Sequence, residues 1–349
     1  MSKQENQQKI AEVAAEVADT DLLDDLPSPV QYLSTGCTQL DLAISNILPG
    51  GFPVGRTVEI MGAASTSKTV LGMLAIGSCQ RAGGVGYFVD VEDTFLPSWA
   101  NMFGIDIANK DTFRLFGGLK APSTIEAFYD DFLAGVIEES KKDKRNKIIV
   151  VDSLTPLAAK DEVDRKLDEG SYKTQKAKQM SAAFRKYNPI VLSKNNISIV
   201  YINQTRDNVD TRGPKETTSG GRALEFYTSV RIYLKVSSKI ENSAAKKIGV
   251  WIKFEVTKNK VAPPFRDGMY RILFDYGLDD IFSNLQFLKD NGYADGEKKV
   301  KFAGESKMIS TMVKHVEANN LEEQLKQEVA KVWKEVYKTE TGRKQRIWI

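Results

Sequence analysis

Residues 62–69 read GAASTSKT, a glycine-led loop that closes on a lysine and a threonine. The string is one substitution away from G-x-x-x-x-G-K-[ST], the pattern whose backbone N–H groups cradle nucleotide phosphates. Ser67 stands where the second glycine belongs. Lys68 would reach the β- and γ-phosphates, and the Thr69 hydroxyl would hold Mg²⁺. Gly62, Ser65, Thr66 and Ser67 supply the loop, and a helix opening at Lys68 adds the positive end of its dipole. A serine keeps the N–H and adds only a Cβ, so ATP is expected to bind with altered affinity or turnover.

Alone the string is weak, but three further strands end on polar groups suited to the same chemistry. Asp152 closes KIIVVD and is the expected second carboxylate of the metal shell. Asp90, Glu92 and Asp93, in YFVDVED, offer a carboxylate to polarise an attacking water. Gln204 ends VYINQ as an uncharged group able to sense a γ-phosphate. Ligands of open α/β sheets bind at the carboxyl ends of their strands, where these four endings would converge.

The elements that must position them alternate along the chain. Strands are expected at 57–61, 86–91, 113–118, 147–152, 198–203 and 230–236, and helices at 68–82, 123–140, 173–187 and 188–196. Fully apolar strands between amphipathic helices imply a sheet covered on both faces. VWIKFEVTKNK and MYRILFD read as a hairpin turning near APPF. Upstream, Ile10, Val13, Ala14 and Val17 form one helical stripe, too short to stand alone, with a neighbouring subunit as one candidate for what it packs on. After Gly277 the texture turns to short helices and a lysine-rich, strand-poor tail.

Composition narrows the chemistry. The 349 residues, 42% hydrophobic and 27% charged, suffice for a sizeable core and about two domains. His315 is the single histidine, which speaks against triads, histidine-ligated metals and imidazole catalysis. Cys37 and Cys79 lack paired spacing and suit a reducing cytoplasm. No stretch is apolar enough for a membrane helix, and MSKQENQQ is no signal peptide, so a cytoplasmic protein is expected. A net charge of +3 requires any basic footprint to be local.

From about residue 30 to residue 280 the chain resembles a RecA-type recombinase, with a weaker echo beyond. STGCTQLDLAI, FVDVED, IIVVDSL, INQTRDN, GGRALEFYTSVRI and KNKVAPPF carry the resemblance, the last two most specifically. It implies a RecA-like α/β phosphate-loop ATPase core (34–280) with a covered, mostly parallel sheet. An N-terminal polymerisation helix and linker (1–33) and a small α-rich C-terminal domain (281–349) would flank it. The implied activity is a DNA-dependent ATPase that forms helical filaments of itself on single-stranded DNA. Those filaments would pair that strand with homologous double-stranded DNA and exchange strands. A single-strand-binding protein or loader would be a further partner.

By the same resemblance Glu92 would be the catalytic carboxylate, and Lys68, Thr69 and Val70 would bind phosphates. Thr69 and Asp152 would serve Mg²⁺, and Trp99 would stack on adenine. Lys258 and Lys260, on one side of an extended strand, would reach ATP across the subunit interface. Gln204 would report the γ-phosphate to the DNA-binding loop that follows, TRDNVDTRGPKETTSGG, 17 residues without regular structure. In that loop Arg206 and Arg212 supply charge, Val209 is the apolar wedge, and Gly220 and Gly221 let backbone approach phosphate. A second loop, DEVDRKLDEG, precedes a helix whose Lys178, Ser181 and Arg185 share one face toward the strand backbone. Lys235, Lys239, Lys246, Lys247 and Lys253 are candidates to guide duplex DNA.

The chain departs from the family at Ser67, at Lys178 in place of arginine, and at Arg222 in place of asparagine after the double glycine. Its central loop reads one residue short, and it ends basic, GRKQRIWI, where an acidic tail is common. These departures point to a phage-encoded or otherwise divergent member. Two rivals remain: a ring-forming helicase on the same core, and a non-hydrolysing regulatory paralogue in which Ser67 marks lost turnover.

Overall fold

The stretch Lys147–Asp152 explains the architecture in miniature. Ile148 and Val150 belong to one apolar core and Ile149 and Val151 to another, so the strand is buried on both faces. Side chains alternate across a strand, and only a sheet sandwiched between helices accepts such a run. The computed structural model describes residues 30–160, 173–207, 216–218 and 221–338.

The described chain opens with β1 (Tyr32–Leu33), α1 (Thr38–Ser45), β2 (Phe52–Pro53) and β3 (Thr57–Gly62). It continues through α2 (Lys68–Arg81), β4 (Val85–Asp90), α3 (Pro97–Met102) and β5 (Phe113–Gly117). A wide π-type turn over Ala127–Leu133 leads into α4 (Ala134–Lys142), followed by β6 (Lys147–Asp152), α5 (Lys173–Lys186) and α6 (Pro189–Lys194). Next come β7 (Ile197–Asp207), β8 (Glu216–Thr218), α7 (Gly221–Tyr227) and β9 (Val230–Glu241). The sheet is completed by β10 (Lys247–Asn259), β11 (Arg266–Leu273) and β12 (Gly277–Asp279).

Strand order is β12–β11–β10–β9–β3–β7–β6–β4–β5. The six strands from β9 to β5 pair parallel, and β10, β11 and β12 extend the sheet antiparallel. This is the mostly parallel, doubly covered α/β sheet the sequence implies, and the hairpin of β10 and β11 turns through APPF. β3 lies between β7 and β9, so the loop leaving it is flanked by both neighbours' carboxyl ends.

The expected N-terminal helix, the DEVDRKLDEG loop and the basic C-terminal residues lie outside the described residues. Two expectations change where the structure is described. The 17-residue loop is regular at its stems: Thr205, Arg206 and Asp207 pair antiparallel with Thr218, Thr217 and Glu216. The C-terminal region is not strand-poor either. After α8 (Asp280–Leu288), β13 (Ala294–Asp295), β14 (Lys299–Phe302) and β15 (Glu305–Met308) form a small antiparallel sheet. Ala303 and Gly304 both take positive φ, 49° and 78°, the backbone of a tight two-residue hairpin turn. α9 (Ile309–Ala318) and α10 (Glu322–Val336) follow, and Leu285, Val300, Met312 and Trp333 join the core that holds Leu40 and Phe254. His315 sits partly exposed on α9, beside Asn319.

Candidate nucleotide site

Gly62 ends β3 where nothing larger fits: a Cβ there would lie 2.3 Å from the Leu234 carbonyl oxygen of β9. The chain then turns through Ser65 and Ser67, both in the left-handed region, before α2 opens at Lys68. Gly72 lets that helix approach the sheet, since its Cβ would meet Val150 at 2.7 Å. The Lys68 ammonium is buried and rests on the carbonyls of Ala63 (2.6 Å) and Gly62 (3.1 Å). Burial lowers its pKa, opposed by the charges of Asp152 and Glu92.

The Thr69 hydroxyl donates to Asp152 Oδ2 at 2.5 Å, joining the helix start to the tip of β6. Burial lifts the Asp152 carboxyl to about 6; the Thr69 hydrogen bond opposes this rise, and the nearby Glu92 and Asp90 charges add to it. A hydroxyl and one carboxylate are hard oxygen donors of the sort Mg²⁺ takes alongside substrate phosphates. Among the described residues no cluster of three metal-ligating side chains exists, so a protein-only metal cage is not what this site offers. The fit is to a metal shared with phosphate.

Three carboxylates were candidates at the end of β4, and the structure divides them. Asp90 accepts from the backbone N–H groups of Thr94 (3.0 Å) and Phe95 (2.8 Å), so it folds the loop, and it does not line the cleft that Glu92 and Asp152 line. Asp93 is exposed with φ 55°. Glu92 alone is aimed at neighbouring strand tips: Ser153 donates to its Oε1, and Gln204 Nε2 lies 3.5 Å from that oxygen. Ser153 was missed in the sequence, although it follows Asp152 directly in VVDSL.

These groups line a cleft of about 470 Å³. Ser65, Thr66, Ser67, Lys68, Thr69 and Val70 form its floor, with Glu92, Asp152 and Gln204 at one end. Trp99 and Met102 of α3 line it too, as do Ile272, Leu273 and Phe274 at the end of β11, and the indole is 42% exposed. Such a cavity is of the size that holds a nucleotide-sized ligand, and its lining pairs carboxylates with an aromatic plane.

Lys258 and Lys260 do not line this cleft. They lie at the far end of β10, where Lys258 Nζ donates to the carbonyls of Glu225 (2.6 Å) and Phe226 (2.8 Å) at the end of α7. Beside them Arg231 binds the buried Glu59 at 2.6 Å, Glu59 accepts from Asn203 at 2.9 Å, and Arg231 also reaches Glu225 at 3.2 Å. This chain of polar contacts crosses from β7 through β3 and β9 to α7, and sequence periodicity gave no sign of it.

The DNA-side residues are placed in part. Lys178 and Arg185 are exposed on α5, while the Ser181 hydroxyl turns back to the Ala177 carbonyl at 2.8 Å. Arg206 lies on the paired stem of β7, and Gly221 and Arg222 open α7. Val209, Arg212 and Gly220 lie outside the described residues.

A strand–loop–helix with Lys-Thr at the helix start, and carboxylates at two adjacent strand tips, defines a phosphate-loop ATPase. The model for the RecA N-terminal domain matches residues 18–279. Protein RecA of Sulfurimonas denitrificans is 33% identical over 308 residues, 85% of this chain and 84% of that one. Protein RecA of Thermus aquaticus is 36% identical over 253 residues, covering 72% and 69%, and that of Chloroherpeton thalassium is 34% identical over 315 residues, covering 88% and 83%. The chain belongs to the RecA family, ATP-hydrolysing enzymes of DNA recombination and repair.

Proposed function

We propose that this chain polymerises on single-stranded DNA with ATP at the seam between protomers, and exchanges that strand with a homologous duplex. The observation that carries the reading is the sharing of one carboxylate by two strand tips. Glu92 is held by Ser153 and faces Gln204, and Gln204 lies on β7, which runs straight into the hairpin stem of the DNA-side loop. A change at the γ-phosphate end is thereby felt at the root of that loop within three residues of Gln204.

Each group then has one task. The N–H groups of the phosphate loop and Lys68 hold the triphosphate, Thr69 and Asp152 would hold Mg²⁺, and Trp99 stacks on the base. When bound, the ion supplies charge neutralisation at the β- and γ-oxygens. Glu92 takes the proton of the attacking water, and Gln204 reads whether the γ-phosphate is present. Lys258 and Lys260, which do not line their own protomer's cleft, serve a neighbour's nucleotide. Arg206, Arg212, Val209, Gly220, Gly221 and Arg222 contact DNA with Lys178 and Arg185 of α5. Ser181 bonds to its own helix and is the weakest of these contacts. Residues 1–33 carry the polymerisation helix and 281–349 the accessory domain. The departures from bacterial relatives at Ser67, Lys178 and Arg222 point to a phage-encoded or otherwise divergent member.

The test is the ATPase rate of the full chain with and without single-stranded DNA. Stimulation of hydrolysis by DNA is expected. ATP binding without turnover, unchanged by DNA, would establish the non-hydrolysing paralogue instead.

A further inference from the structure

Ser67 combines two features. Its backbone, φ 64° and ψ 21°, is left-handed, where glycine is the residue of least strain. Its hydroxyl donates to the Thr66 carbonyl at 2.5 Å and lies 2.8 Å from the phenol oxygen of Tyr270. A serine hydroxyl has one proton, so with that proton on Thr66 the phenol must be the donor to Ser67. The relay runs from Tyr270 O–H to Ser67 Oγ, and from Ser67 O–H to the Thr66 carbonyl.

Tyr270 is fully buried on β11, with its ring stacked on Phe254 at a centroid distance of 6.1 Å. A phenol that deep needs a partner, and Ser67 is the one it has among the described residues. Two residues further along β11, Ile272 and then Leu273 line the same cleft as the phosphate loop. One strand therefore anchors the phosphate loop by a hydroxyl and lines the same cleft.

We propose that Tyr270 is a positioning residue for nucleotide binding, and that the Ser67–Tyr270 pair does here what a lone glycine does in an unmodified phosphate loop. Glycine permits the left-handed turn; this pair enforces it, holding the N–H groups of Ser67, Lys68 and Thr69 toward the phosphates. Ser67 is then neither a decayed position nor a neutral one. The inference rests on the reading of this loop as the ATP site.

The experiment is a double-mutant cycle on the full-length chain with Ser67→Gly, Tyr270→Phe and the double variant. Affinity for a fluorescent non-hydrolysable ATP analogue, ATPase KM and kcat, and melting without nucleotide are read for all four proteins. Tyr270→Phe frees the loop, and Ser67→Gly strands the phenol, so each single change is expected to weaken analogue binding and raise KM about tenfold, with kcat within about twofold. The double variant, with glycine over an apolar ring, is expected to return to within about threefold of the parent. Melting points that shift independently in the two single variants and add in the double would refute the hydroxyl link. Coupled melting points with four equal affinities would show a structural tie only and overturn the positioning role. Failure of the parent chain itself to bind the analogue would instead overturn the ATP reading, while the melting points still decide the link.

Discussion

Glu92 is the residue on which we propose turnover depends, and its surroundings say why this acid and not its neighbours. YFVDVED presents three carboxylates within four positions, and their types alone do not rank them. Asp90 spends both oxygens on the backbone of Thr94 and Phe95, whereas Glu92 is held in reach of Ser153 and Gln204. Glu92→Gln is expected to lower kcat by about 10²-fold or more while leaving analogue affinity within about threefold, measured by steady-state kinetics and fluorescence titration. Lys258 carries a pH signature of its own. Burial, then the charges of Lys260 and Arg231, bring its pKa down to about 8. For folding the sign is that of a depressed lysine: the charged form is disfavoured in the native state, so stability rises as pH climbs from about 8 toward the unfolded lysine value. For a neighbour's triphosphate the sign reverses, because only the ammonium attracts it. Nucleotide-dependent assembly, followed by light scattering, is therefore expected to weaken above about pH 8, and Lys258→Arg to flatten that dependence, since a guanidinium keeps its charge there.

At the scale of elements, the strands that carry the site were legible because their chemistry is extreme. KIIVVD and TVEIM are apolar runs that only a doubly covered sheet accepts, and the observed bounds, Lys147–Asp152 and Thr57–Gly62, fall within one residue of those read from sequence. Elements of weaker contrast escaped. β14 spans four residues, Lys299–Phe302, and buries only Val300 and Phe302, too short an alternation to separate from a lysine-rich loop. The stem of β7 and β8 is polar throughout, so nothing in its side chains announces pairing. The Glu59–Arg231 pair was hidden for another reason: its partners lie 172 positions apart and meet only because β3 pairs with β9. Its consequence is testable. Glu59 is fully buried, so Arg231→Met would leave a buried carboxylate with Asn203 as its remaining close partner. Urea unfolding is expected to show a loss of about 3–5 kcal/mol, and adding Glu59→Gln to recover a large part of it.

At the scale of the molecule, a net charge of +3 gives no general attraction for a polyanion, so DNA binding calls for a local basic set, and the one we propose lies on α5, the β7–β8 stem and α7. Contacts to phosphates release counterions, and log affinity for single-stranded DNA should fall with log salt at a slope of about −0.7 for each phosphate neutralised. Lys178→Ala with Arg185→Ala is expected to make that slope shallower by about 1.4, measured by fluorescence anisotropy over a salt series. This set was only partly legible from sequence, because a charged helix face looks the same whether it meets water or a nucleic acid. Polymerisation on a bare strand is proposed to depend on triphosphate held by Lys68 in one protomer and completed by Lys258 and Lys260 of the next. Electron cryomicroscopy of the full chain with single-stranded DNA and a non-hydrolysable ATP analogue tests it most directly. Helical fibres are expected, with nucleotide density at each seam between Lys68 of one protomer and Lys258 and Lys260 of the next. Discrete particles without fibres, or fibres whose two lysines stand remote from every nucleotide, would contradict it.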